Sequence, residues 1–181
     1  VRVIAGDLKT FSREDDGSWQ PVRMQRVVDA AVNLAWNEIR HRAELVRELG
    51  PAPPVMGSET RFVQVLVNLL VNAAHAIEAE GDPARRRITV RLGEASHGRV
   101  FVRVAHTGHG IAPGLVGRVF EPFWTSKPKA RGTGLGLSIC HGIITSAGGT
   151  IRVARSHPGV GTTFRVELPI AGVPREPTPQ L

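Results

Sequence analysis

Residues 61–77, RFVQVLVNLLVNAAHAI, limit the possible folds more than any other stretch of the chain. From Val65 to Ile77 only Asn68, Asn72 and His75 are polar. At helical spacing Val65, Leu66, Leu69, Ala73, Ala76 and Ile77 share one face, and Val67, Val71 and Ala74 cover most of the rest. The three polar residues line one adjoining edge, a turn apart. A helix so apolar all round is buried, and an amide left unsatisfied there costs about 1–3 kcal/mol. The edge therefore faces something polar. It is either neighbouring backbone, which buried asparagines commonly bridge, or a ligand or metal reached from one side. Asparagine oxygen is a hard, neutral ligand suited to a magnesium ion that keeps waters and shares substrate phosphates.

The chain has 181 residues, enough for one domain with a full core and an appended segment. With 41% hydrophobic and 22% charged residues it has the composition of a soluble globular protein. No apolar run approaches the ~20 residues of a membrane span, and the first residues lack a signal-peptide pattern, so a cytoplasmic domain is expected, whether or not the parent protein is membrane-attached. The single cysteine, Cys140, excludes an internal disulfide and argues against zinc, and is expected to be a core thiol. The net charge of +7 and pI of 11.1 raise the question of nucleic acid. The basic residues are scattered, however. The tight clusters are Arg85, Arg86 and Arg87, and Lys127, Lys129 and Arg131, neither interleaved with aromatics, which argues against nucleic acid as a partner.

Residues 1–13 have Val3, Ile4 and Leu8 at helical spacing, and residues 14–21 (EDDGSWQP) form a polar connector. Residues 22–39 are an amphipathic helix through Val27, Val28, Ala31, Leu34, Ala35 and Ile39. A strand is expected within 41–49, then a loop at 50–57 with three prolines. Ser58 is a good N-cap for the asparagine helix, which is expected to end near Gly81. Period-two alternation marks a hairpin through Ile88, Val90 and Leu92, then Val100, Val102 and Val104. A short helical piece follows at 113–119, an irregular segment at 120–132 and a helix at 135–147. Ile151 and Val153, with Phe164, Val166 and Leu168, form a second hairpin around HPGVG. Residues from 171 onward read as a flexible tail. This order predicts an α/β fold with helices on one face of a mixed sheet.

Two glycine segments bear on the ligand. Gly108 and Gly110 follow a strand end, and Gly132, Gly134 and Gly136 (GTGLGL) open a helix. Such turns let backbone approach a ligand, and N–H groups at a helix start favour phosphate. Taken in order, NLLVNA, HTGHGI, FEPFWTSK, GTGLGL and GTTF resemble the N, G1, F, G2 and final glycine boxes of the catalytic ATP-binding domain of sensor histidine kinases, in the superfamily with gyrase and MutL ATPases.

The resemblance covers roughly 21–170 and implies the two-layer α/β sandwich of the Bergerat (GHKL) fold. Residues 1–20 would then be the end of a dimerisation helix and a linker, and 171–181 a tail. It implies ATP and Mg2+ as cofactors, with Asn72 ligating the metal and Asn68 and His75 beside it. Gly108 and Gly110 would shape the adenine wall, with Ile111 against the base. Phe120 and Phe123 resemble anchors of a short lid whose Lys127 reaches phosphate. Gly132, Thr133, Gly134, Leu135, Gly136 and Leu137 resemble the lid hinge and phosphate donors, and Thr163 the threonine at the adenine end.

One position departs from the family. Where the G1 box has an aspartate that accepts from the adenine amino group, this chain has His106. A carboxylate only accepts, whereas a neutral imidazole accepts at one nitrogen and donates at the other. Losing that acceptor predicts about 1–3 kcal/mol weaker binding, unless Thr107 or a water supplies one. None of the seven histidines lies in the His-Glu/Asp-x-x-Asn-Pro setting of a phosphoacceptor. The resemblance therefore implies a separate dimerisation domain carrying that histidine, a response regulator as final acceptor, and a homodimer in the full-length kinase. The rival readings are a degenerate, nucleotide-impaired interaction domain and an anti-sigma-type serine kinase.

Overall fold

The computed structural model describes residues 19–77, 86–125 and 133–172. Strand β1 (Gln20–Val22) leads into helix α1 (Met24–Ile39), strand β2 (Glu44–Leu49) and strand β3 (Val55–Gly57). Helix α2 (Glu59–Ala76) is the asparagine helix, followed by β4 (Arg87–Ala95), β5 (Arg99–His106) and a 3-10 turn, Pro113–Arg118. Helix α3 (Gly136–Ser146), β6 (Thr150–His157) and β7 (Gly161–Pro169) complete the described elements. The expected tail from residue 173 on and the expected helix end in residues 1–13 lie outside the described residues.

The main sheet runs β2-β4-β5-β7-β6. β2 lies parallel to β4 and the other pairs are antiparallel, so the sheet is mixed as expected. The β4–β5 hairpin closes through the three-residue loop Ser96, His97 and Gly98 between paired Ala95 and Arg99, with His97 at φ 62° and Gly98 at φ 64° in the left-handed region. The short β1–β3 pair falls in residues assigned from sequence to a connector and a proline loop. Strands of three residues carry too little periodicity to be read.

One face of each central strand is apolar. Ile88, Val90, Leu92, Val100, Val102, Val104, Phe164, Val166 and Leu168 form one cluster with Val27, Val28, Ala31 and Ala35 of α1 and Phe62, Leu66, Leu69 and Ala73 of α2. Each such aliphatic side chain is worth about 1.5–3 kcal/mol on full burial, so this layer accounts for the two-layer sandwich. α2 starts as expected, with Ser58 Oγ accepting from the Arg61 N–H at 3.4 Å. It ends earlier than expected. Ile77 leaves the helix at φ −89°, ψ 112°, and the Ala76 carbonyl accepts from the His109 N–H at 3.0 Å instead of from a further turn. That early end places the turn after β5 directly on the helix terminus.

Candidate functional site

The three polar residues of α2 share an edge but meet different neighbours. Asn68 lies against α3. Its Nδ2 donates to Cys140 Sγ at 3.6 Å, and a Cβ built on Gly136 would stand 3.8 Å from Asn68 Oδ1. The Asn68 carbonyl thus faces the first turn of α3, where backbone N–H groups lack helical partners. Asn72 follows one turn on, half-buried. His75 is exposed and turns the other way, its Nε2 3.1 Å from Glu38 Oε2 of α1, which also pairs with Arg42 at 2.9 Å. Burial pushes the Cys140 thiol up to about 11, although the Asn68 hydrogen bond opposes the shift, so it is an inert core thiol as expected.

The segment after β5 is pinned on two sides. On the α2 side, a Cβ on Gly108 would come within 2.2 Å of the Ala76 carbonyl oxygen, so only glycine lets the backbone lie there. On the other side, Gly110 sits at φ +73° against the His157 carbonyl, and Gly159 N–H donates to the His109 carbonyl at 2.8 Å. Ser156 Oγ accepts from the Ile111 N–H at 2.8 Å and lies 2.8 Å from Thr162 Oγ1. Ile111 packs at the margin of the core.

His106 ends β5 with 8% of its surface exposed. Its Nδ1 accepts from the Gly108 N–H at 3.1 Å. Burial, and after it the neighbouring His109, hold the imidazole down to about 4. A neutral ring whose Nδ1 accepts carries its proton on Nε2, so the free edge of His106 is a donor. Thr107, the alternative acceptor, has its hydroxyl on the β4 backbone: Oγ1 accepts from the Arg87 N–H at 2.9 Å.

Thr163, expected at the adenine end, pairs with Ala105 on the sheet face opposite the helices. The strand pleat puts Thr162, 3% exposed and opposite His106, on the helix side instead. Counting back in twos from Phe164 would have found it. Ser156 and Glu38 left no such signal in the sequence.

Phe120 packs between α3 and β7, its ring 5.7 Å from that of His141 and 6.4 Å from that of Phe164. Phe123 anchors through its backbone. Its N–H donates to the Gly134 carbonyl at 3.0 Å while its ring is 75% exposed, with both residues at positive φ. This bond ties together the two ends of the glycine and lysine segment. Thr133 Oγ1 accepts from the Leu135 N–H at 3.4 Å, Gly136 begins α3, and Leu137 packs on the core. Lys127 and Gly132 lie outside the described residues.

The structure therefore joins, around the C-terminal half of α2, the start of α3 and the 106–111 turn. Residues 57–172 match the family described as "Histidine kinase-, DNA gyrase B-, and HSP90-like ATPase". Signal transduction histidine-protein kinase AtoS of Escherichia coli (strain K12) is 34% identical over 172 residues, covering 94% of this chain and 27% of that protein. C4-dicarboxylate transport sensor protein DctB of Rhizobium meliloti (strain 1021) is 39% identical over 170 residues, 93% of this chain and 26% of its own length. The chain thus spans about a quarter of these curated relatives. Among solved structures, the mycobacterial sensor histidine kinase MprB superposes with a TM-score of 0.71 at 29% identity, covering 84% of this chain and 97% of that one. Full-length ShkA in complex with AMPPNP gives 0.72 at 27% identity, covering 92% and 35%.

Proposed function

The chain belongs to the family of histidine kinase-, DNA gyrase B- and HSP90-like ATPases, and from that membership we propose that it is the ATP-binding catalytic domain of a two-component sensor histidine kinase. The observation that carries this reading is the meeting on one helix of Asn68 with the start of α3 and of the α2 end with the 106–111 turn. A helix start and a glycine turn then stand on either side of a polar edge, an arrangement suited to a nucleotide with phosphates on the N–H groups of 133–136 and base toward His106 and Thr162.

Magnesium fits this donor set. Among the described residues no group of three His, Cys, Asp or Glu side chains could hold a metal, so an ion here takes few protein ligands and keeps water and phosphate oxygens. Asn72 would hold it, and when bound it neutralises phosphate charge. By the family resemblance, Lys127 would supply a further cation to the phosphates.

In the proposed reaction a histidine nitrogen of a separate dimerisation domain attacks the γ-phosphorus. The bond from that phosphorus to the bridging oxygen breaks, and ADP leaves. A response regulator aspartate then takes the phosphoryl group. Residues 21–170 are the catalytic unit, and a homodimer of the full-length kinase presents the acceptor histidine.

The Nε2–H of His106 meets the base as a donor, which mismatches the amino group of adenine and suits a carbonyl at the same place. Calorimetric titration with Mg-ATP and Mg-ITP, which carries that carbonyl, tests this. Binding of both is expected, with ITP at least as tight as ATP. His106→Asp is expected to gain about ten- to hundredfold for ATP and to reverse the preference. No binding of either nucleotide to either protein would refute the nucleotide reading. An ATP preference unchanged by the substitution would refute only the role of His106.

A further inference from the structure

The sheet face opposite the helices carries a row of arginines that no sequence cluster announced. In register across neighbouring strands stand Arg91 of β4, Arg103 of β5, Arg165 of β7 and Arg152 of β6. Strands lie ~4.8 Å apart, so the row is roughly 14 Å long. Phe101 lies beside it, with the Arg103 and Arg165 guanidiniums 5.0 Å and 4.7 Å from its ring centre. Beside the row, toward the β4–β5 turn, a cavity of about 480 Å³ is lined by Ala95, Ser96, His97, Arg99, Arg165 and Glu167.

Only part of this charge is answered. Glu48 pairs with Arg91 and Glu167 with Arg165. Among the described residues no carboxylate pairs with Arg99, Arg103 or Arg152, and buried Arg99 Nη1 and Arg103 Nε have no hydrogen-bond partner. Burial first, then Arg165, Arg91 and Arg152, hold the Arg103 guanidinium below the usual arginine range, with Glu167 opposing the shift. The fold bears like-charge repulsion that Glu48 and Glu167 relieve only in part, at a surface where uncharged polar residues would serve the sheet as well.

We infer that this face docks an acidic protein helix, whose carboxylates at i, i+4 and i+7 meet the row while its body covers Phe101 and one carboxylate enters the cavity at Arg99. Carboxylates on adjacent turns lie roughly 6 Å apart, within reach of arginines spaced by one strand, and the guanidinium fork suits bidentate carboxylate pairing. Glu48 and Glu167 interrupt the positive field, which complements a protein segment of mixed charge better than a uniformly anionic nucleic acid. The inference does not depend on nucleotide binding.

Fluorescence anisotropy with two labelled helical peptides of identical composition provides the test, one with its glutamates in a single stripe flanked by lysines, the other with them dispersed around the helix. The striped peptide is expected to bind this chain at least about tenfold more tightly than the dispersed one, with affinity falling as salt rises. Arg91→Gln with Arg152→Gln is expected to remove that preference while circular dichroism is unchanged. Equal affinity for both peptides, or a preference that survives the double substitution, would overturn the inference. So would an oligonucleotide that displaces the striped peptide at lower concentration, or self-association of the chain abolished by the same substitutions, which assign the face to nucleic acid or to a second copy.

Discussion

His106, proposed to meet the base, also couples the fold to pH. Its imidazole titrates at about 4 in the folded chain because burial disfavours the charged ring, and near ~6.5 once unfolded. Between those values the unfolded chain binds more protons. The stability this residue contributes is complete above about pH 6.5 and is lost as pH falls toward 4, by about 3 kcal/mol in all. Urea unfolding across this range is expected to show a midpoint that rises with pH, and a shallower rise in His106→Gln. An identical slope in both proteins would remove His106 as the cause. The same residue shows the limit of reading one position from its type. Imidazole was legible as a departure from the family pattern, but whether it donates or accepts follows from the Gly108 N–H on Nδ1.

At the level of elements, α2 works because its C-terminus is also a docking point. The Ala76 carbonyl holds His109, and Gly108 lies so close that a methyl group has no room. Gly108→Ala is expected to lower stability by about 1–3 kcal/mol and to weaken nucleotide binding more than its melting shift alone explains. Gly114→Ala, whose added Cβ meets nothing within 4 Å, is the matched control and should leave binding unchanged. Thermal melts with and without Mg-ATP separate the two effects, since a loss of stability with no loss of the ligand-induced shift would show that the turn supports the fold alone. The existence of α2, of both hairpins and of α3 was readable from period. The helix end near Gly81 was not, because a tertiary hydrogen bond to Ala76 decides it.

For the molecule as a whole, a net charge of +7 and the arginine row make self-repulsion part of the energy balance. Raising sodium chloride from low to physiological concentration is expected to raise the melting temperature, and Arg152→Gln to reduce that gain. A gain of the same size in both would mean that the row is already compensated. Among the described residues no helix is long and apolar enough to cross a membrane. By itself the sequence determined the kind and order of the elements, the two-layer sandwich and the asparagine and glycine segments, because periodicity and turn chemistry act over a few residues. Only the tertiary structure decided that Thr162 stands opposite His106, that Asn68 and His75 look toward different helices, and that Arg91, Arg103, Arg165 and Arg152 stand in line. Strand register and helix packing join residues far apart in the chain, and no local pattern encodes which of them will meet.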